Sequence, residues 1–382
     1  MDSYPSFFFS SGWLFKLAII IWFVTAFSVF APMAQGVVAA SDLTKPESDS
    51  DSLSRPDAES LSKPLPEKSL SQLEKPAPHS IDLDSPLYRD LFRQLEEEHG
   101  FDPGQLKRWF SGITINPRVL ELMDAQWEAQ PYHRYAAPFM TWWNVGNGRV
   151  LLERHRELLE RIEEEFGVER EVVVAIWGVE SNFGQRKGGF NIFQAMNTIF
   201  AAYPRRRPFY REQLLEFLLL CRENGLDPRE VTGSYGGAFG QAQFIPSSFR
   251  AYAVDFDADG RRDIINSIPD VLAGIANYLR HFGWRFGAPR YAELGNRLND
   301  ERLEEARQQG RQGVLPRELI ARVQQVELPP MADDKPLRVV GLEQADGTWR
   351  YLAAYPNFQA LTHWNNSYRY ATVVLQLAEK LR

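Results

Sequence analysis

Apolar and polar positions alternate along this chain with the period of helices. Ser85-Pro86 reads as an N-cap followed by proline at the first helical position. Leu87, Leu91, Phe92 and Leu95 then make an apolar stripe that Gly100 ends. A second helix is expected from about Gly148 to Phe166, with Leu151, Leu152, Leu158, Leu159, Ile162 and Phe166 on one side and Gly167 as its stop. The run Val172–Val179 is apolar without a break, so it belongs in a core. Glu180 follows it, just before stop signals in Asn182 and Gly184. Pro208 to Glu223 reads as a buried helix ended by Gly225. Ser367 to Leu381 carries the stripe Tyr370, Val373, Val374, Leu377 and Leu381.

From about Arg285 the pattern changes. Glu301 to Gln309 and Arg317 to Gln325 predict two short polar helices. Arg338–Leu342 and Thr348–Leu352 flank Asp346-Gly347, a hairpin signal. At the other end, Leu17 to Ala40 holds no charged residue and Lys16 precedes it. It reads as a secretory signal cut after Val38-Ala39-Ala40 or as an uncleaved membrane anchor. Ser41 to about Ser80, rich in Ser, Pro, Asp, Glu and Lys, reads as a disordered tether. The expected organisation is a leader (1–40), a linker (41–83), an N-terminal helical domain (84–166) and a catalytic core (167–284). A small β-containing insertion (285–362) and a helix returning to the core (363–382) complete it.

Composition narrows the function classes. A chain of 382 residues, 44% hydrophobic and 13% aromatic, supports a sizeable core and more than one domain. The net charge of −7 has both signs mixed throughout, which leaves no basic footprint for nucleic acid. The single cysteine, Cys221, excludes an intramolecular disulfide and a cysteine-based zinc site. No cysteine lies near the leader, so a lipoprotein anchor is excluded. Six histidines are scattered without metal-ligand spacing.

Four stretches carry candidate chemistry. Glu180 follows a buried segment and sits near a helix C-terminus, where the macrodipole disfavours negative charge. Both effects favour the neutral form, so Glu180 is either a proton donor near neutral pH or a last-turn Glu with its head in water. Tyr203-Pro204-Arg205-Arg206-Arg207 is a turn with three arginines, solvated or anion-binding. Ser234 to Phe244 interleaves glycines with aromatics and amides. It suits close approach to a sugar, with Ser234 and Gln243 supplying hydrogen bonds, or is a plain connector; it is not a P-loop. Asp255, Asp257, Asp259 and Asp263 fall at positions 1, 3, 5 and 9 of an EF-hand loop, with Gly260 at 6. Position 12 is Asn266 in place of the bidentate Glu; Asp270 supplies the missing carboxylate or serves only as the capping-box partner of Ser267.

With Glu180-Ser181-Asn182-Phe183-Gly184, the Ser234–Phe244 loop and the acidic loop taken together, the chain resembles the lytic murein transglycosylases of the membrane-bound B type. The resemblance runs in order from about Leu87 to the C-terminus. It implies a mainly α fold, with a lysozyme-like α core, an N-terminal helical domain and a small inserted β-containing domain. It implies that Glu180 is the catalytic acid with Ser181 beside it, and that Arg205 and Arg206 contact stem peptides. Ser234 and Gln243 would hold sugar, Tyr278 would be an aromatic of the groove, and Trp364, Asn365 and Tyr370 would match the family's C-terminal pattern. Trp364 stands where some members have tyrosine; it keeps a stacking face and lacks the hydroxyl. Structural calcium would be held by Asp255, Asp257, Asp259, the Arg261 carbonyl and Asp270, with no organic cofactor.

The implied reaction needs one carboxylate where ordinary glycosidases need two. Glu180 would protonate the leaving oxygen while the substrate's acetamido group attacks the anomeric carbon. It would then take the proton of the 6-hydroxyl, giving a 1,6-anhydro product. The implied partners are peptidoglycan glycan strands and stem peptides, and the implied location is the bacterial periplasm, with membrane attachment through the N-terminal segment left open. A hydrolytic muramidase and a catalytically silent, calcium-stabilised glycan-binding protein are the alternative expectations.

Overall fold

The structure, a computed structural model, describes residues 79–124 and 130–382. The expected leader and nearly all of the expected tether lie outside the described residues. Among the described residues, no helix is long and apolar enough to cross a membrane.

The chain begins with α1 (Pro86–Glu97), α2 (Pro103–Phe110), α3 (Pro117–Asp124) and α4 (Tyr132–Ala136). Proline stands in the first turn of α1 and α2, where its missing N–H costs nothing. The side chain of Asp102 caps α2 by accepting from Gln105 N at 2.7 Å. In α1 the fully covered residues are Tyr88, Leu91 and Leu95, so Tyr88 joins the expected stripe.

The single helix expected from Gly148 to Phe166 is two. α5 (Trp142–Arg154) starts earlier, at a Thr141 cap that accepts from Asn144 N, and α6 (Arg156–Phe166) follows a break at His155. No Gly or Pro marks the break. His155 has φ −107 and ψ 23, and its ring meets Trp177 edge-on at 6.3 Å, so a core contact turns the chain there.

α7 (Arg170–Ser181) carries the apolar run and ends where Asn182 turns left-handed. It is packed by α5, α6 and two later helices, α11 (Ile268–His281) and α15 (Tyr368–Leu381). Between these lie β1 (Phe190–Asn191), α8 (Ile192–Ala202), α9 (Arg207–Asn224), β2 (Thr232–Gly233) and α10 (Pro246–Tyr252). α9 ends at Gly225 as its sequence predicts. Leu214, Phe217 and Leu218 of α9 and Phe193 and Phe200 of α8 are fully buried in the same core as α7.

After α11 come β3 (Tyr291–Gly295), α12 (Glu301–Gln308), β4 (Val314–Leu315), α13 (Arg317–Gln324), β5 (Leu337–Glu343) and β6 (Trp349–Ala354). The strands form an antiparallel sheet in the order β3-β6-β5-β4, with a separate apolar cluster that includes Leu303, Ile320, Leu337 and Tyr355. Alternation divides the sheet between two cores. Val339 and Ala353 face that cluster, whereas Val340, Leu342 and Leu352 face the main one. α14 (Pro356–Trp364) and α15 then bring the chain back against α7. The result is the mainly α, lysozyme-like fold with a small inserted β-containing part.

Candidate active site

α7 delivers Glu180 to the surface from an otherwise covered helix. Val172 through Gly178 are buried, and Glu180 is half-buried on the last turn. Asn182, Phe183 and Gly184 follow in left-handed conformation, with φ of 52, 56 and 82°. Asn182 N bonds Gly178 O at 3.0 Å and Phe183 N bonds Trp177 O at 3.3 Å, so the turn closes over the helix end. Ser181 belongs to this closure. It is 1% exposed, and its Oγ accepts from Gly184 N at 2.9 Å and donates to Trp177 O at 3.2 Å. Its side chain shapes the turn that follows the acid.

The Glu180 carboxylate is gripped from the far end of the sequence. Trp364 Nε1 donates to Oε1 at 2.8 Å and Tyr370 Oη donates to the same oxygen at 2.6 Å. Two donors on one oxygen fix the orientation of the carboxyl group. Both donors stay donors. The indole has no other state, and burial, followed by the Glu180 charge, holds the Tyr370 hydroxyl well above the usual tyrosine range. Tyr370→Phe removes one donor at little cost in packing. Its kcat/KM is expected to fall about tenfold, with melting unchanged; an unaffected rate would mean that Trp364 alone orients Glu180.

Behind Trp364 stands an aromatic stack. Tyr278 lies 4.7 Å from it at 65°, and Phe244 lies 5.1 Å away. Tyr278 is 2% exposed and its hydroxyl donates to His363 O at 2.6 Å, so it backs Trp364 from inside. Asn365 is buried at the C-cap of α14, its N–H bonded to Leu361 O at 3.1 Å.

The Ser234–Phe244 loop folds over itself. Ser234 N bonds Ala238 O at 2.7 Å while Ser234 Oγ accepts from Ala238 N at 3.0 Å. Gln243, at φ 49°, donates its amide to Lys187 O at 3.1 Å and to Gly240 O at 2.8 Å, which ties this loop to the one after α7. Gly188 makes the same junction from the other side: at φ +87°, a Cβ there would lie 2.2 Å from the backbone of Gly233. Gly188→Ala is therefore expected to cost on the order of 2 kcal/mol or more, read as a lower denaturation midpoint. An unchanged midpoint would show that the loops part freely.

One side chain that braces the site escaped the sequence reading. Gln241, 7% exposed, accepts from Trp177 Nε1 at 3.0 Å and donates to Ile265 O at 3.1 Å. It joins α7 to the exit of the acidic loop. The signal was present as a second amide two residues before Gln243, inside an otherwise apolar stretch.

The three arginines divide. Arg207 caps α8 by donating to Phe200 O and Ala201 O. Arg205 is exposed and donates to Tyr203 Oη at 2.9 Å, while Tyr203 Oη donates to Asp124 Oδ1 at 2.8 Å. Arg206 is half-buried on the 3-10 turn Pro204–Arg206. Both sit on this turn, between α8 and α9, apart in sequence from α7 and from the α14–α15 segment that holds Glu180.

The acidic loop gathers three carboxylates. Asp255, Asp257 and Asp259 each offer an oxygen, and these lie within 4.8 Å of one another. Gly260 N bonds Asp255 Oδ2 at 2.9 Å and Arg261 N bonds Asp259 Oδ1 at 2.8 Å, so the backbone curls around the carboxylates. Hard oxygen donors at this spacing suit calcium. Asp270 is fully buried and stands behind the loop, accepting from Phe256 N at 2.8 Å and Asp263 N at 2.7 Å. Burial pushes its carboxyl up, and the backbone bonds act the other way. Ser267 caps α11, and its Oγ donates to Asp257 Oδ2 at 2.7 Å, so half of the expected capping box forms.

Comparison with known proteins follows the same geography. The transglycosylase SLT domain family matches residues 85–379. The membrane-bound lytic murein transglycosylase B of Escherichia coli K12 is 30% identical over 313 residues, 77% of this chain and 82% of the relative. The Escherichia coli lytic transglycosylase Slt35, solved in complex with calcium, superposes with a TM-score of 0.70 at 30% identity, over 80% of this chain and 95% of that one. SltB3 from Pseudomonas aeruginosa, solved in complex with NAG-NAM-pentapeptide, superposes with a TM-score of 0.66 at 30% identity, over 77% and 78% of the two chains.

Proposed function

The chain belongs to the transglycosylase SLT domain family and is an enzyme of the lytic murein transglycosylase class, and from that premise we propose that it cleaves the β-1,4 bond between MurNAc and GlcNAc with Glu180 as acid and then base. The observation that carries this reading is the double grip on one oxygen of Glu180 by Trp364 Nε1 and Tyr370 Oη. A carboxyl held in one orientation can deliver and recover a proton along a fixed line.

In the first step Glu180 gives its proton to the glycosidic oxygen. The MurNAc acetamido oxygen bonds to the anomeric carbon as the bond to the leaving GlcNAc breaks. In the second step the Glu180 carboxylate takes the proton of the 6-hydroxyl, and that oxygen displaces the acetamide. The product is 1,6-anhydro-MurNAc, no water is consumed, and Glu180 ends protonated again. Ser234 would orient the acetamide, with Gln243 and Asn365 toward the sugar rings and Tyr278 supporting Trp364. Arg205 and Arg206 would meet the anionic stems.

Calcium bound to the acidic loop would be structural. Asp255, Asp257, Asp259, the Arg261 carbonyl and Asp270 would hold it, which the oxygen donor set supports. It would stiffen the chain from which Ile265 O reaches Gln241. The calcium complex of Slt35 supports this. The peptide-bearing ligand of SltB3 supports glycan with stem peptides as substrate, and the membrane-bound relative supports work at the wall from the periplasmic side.

The test is product analysis. Digested sacculi examined by mass spectrometry are expected to yield muropeptides ending in the anhydro sugar. Products with ordinary reducing ends would make the enzyme a hydrolytic muramidase. Binding of murein without release of muropeptides would make it a silent glycan-binding protein.

A further inference from the structure

The turn that follows Glu180 needs support from outside itself. Asn182 and Phe183, neither of them glycine, are both left-handed at φ 52 and 56°. That conformation is costly for residues with a side chain and persists where surrounding contacts enforce it. One side chain reaches both flanks of Glu180. Gln241 Oε1 accepts from Nε1 of Trp177, three residues before Glu180, at 3.0 Å. Gly184, four residues after Glu180, packs against the same amide so closely that a Cβ there would lie 2.2 Å from Oε1.

Gln241 is itself anchored. Its N–H donates to Ile264 O at 2.8 Å and its Nε2 donates to Ile265 O at 3.1 Å. Lys187 Nζ reaches the same Ile265 carbonyl at 3.3 Å, so the far end of the turn is tied to the same point. The indole N–H can only donate and the carbonyl can only accept, which leaves the amide one orientation. Trp177 is buried like Gln241, so water does not replace a bond lost between them. Gln241 also stands two residues before Gln243, in the loop proposed to meet the sugar. It therefore links the helix that carries Glu180 directly to that loop.

We propose that Gln241 is a positioning residue for glycan cleavage. It fixes the backbone around Glu180 relative to the Ser234–Phe244 loop, while Trp364 and Tyr370 fix the carboxyl group. This rests on Glu180 being the acid. A reacting group misplaced by about 1 Å can cost about 100-fold in rate. Such a loss falls on the chemical step and spares binding, because Gln241 acts through Trp177 and Gly184 and makes no contact with the sugar of its own.

The test is steady-state kinetics on soluble, uncross-linked glycan strands. Gln241→Met keeps the length of the side chain and removes both of its hydrogen bonds. Its kcat is expected to fall at least about tenfold, with KM within about twofold. Trp177→Phe should lower kcat as well, and the two losses should not add, because both break one link. A residue that only holds the core would lower the melting temperature and leave kcat per folded molecule within about twofold of wild type, and that result overturns the proposal. A rise in KM with kcat kept overturns it too, by placing Gln241 on the substrate. Should Gln241→Met fail to fold, Gln241→Glu carries the same test: it keeps an oxygen for Trp177 and loses the donor to Ile265 O. An error in the acid has a separate signature, since Glu180→Gln would then stay active.

Discussion

Glu180→Gln is expected to stop glycan cleavage while leaving the protein folded. The amide keeps one oxygen, and Trp364 Nε1 and Tyr370 Oη, both donors, select that oxygen for the position Oε1 now fills. The grip therefore survives, and only the transferable proton is lost. General acid catalysis is worth about 100- to 10,000-fold, and in the proposed reaction one group serves as acid and as base. Release of soluble muropeptides should accordingly fall by about a thousandfold or more, with the melting temperature close to that of the parent. Activity within tenfold of wild type would place the acid on another residue.

Asp270→Ala should give the largest stability loss among changes outside the apolar core. Its two oxygens take Phe256 N and Asp263 N at 2.8 and 2.7 Å in a fully buried position. Alanine leaves both N–H groups without acceptors, at about 1–3 kcal/mol each. Asp270→Asn keeps one acceptor and should lose less. Chelation separates this bracing from metal binding. Calcium present at 100 times its Kd would stabilise the wild type by about 2.7 kcal/mol, so a chelator should lower its melting temperature. The shift should shrink in Asp270→Ala, whose loop is already loosened. A wild type indifferent to chelation would defeat the calcium reading and leave the bracing role standing. An Asp270→Ala protein as stable as its parent would defeat both.

Helices with a stop residue could be read from the chain: Gly225 ends α9, Gly167 ends α6, and the Asp346-Gly347 hairpin joins β5 to β6. These depend on local backbone preference. The break between α5 and α6 could not, because His155 turns the chain through a contact with Trp177 that no local pattern records. The same limit applied in the site. Residue types at the groove were visible, but not their tasks. Ser181 is closed into the turn after the acid, Tyr278 is spent on His363 O, and Gln241 links two loops. The grip on Glu180 depends on partners 184 and 190 residues away. Separation on that scale leaves no local trace.

That separation has a consequence for how the enzyme comes into being. A ribosome adding roughly 5–20 residues per second needs roughly 10–40 s to travel from Glu180 to Tyr370. Through that interval the nascent chain carries Glu180 without the indole and phenol that hold its carboxylate. The grip on Glu180 therefore awaits nearly complete synthesis and the docking of α15 against α7. Chains ended before Trp364 would lack both donors to Glu180.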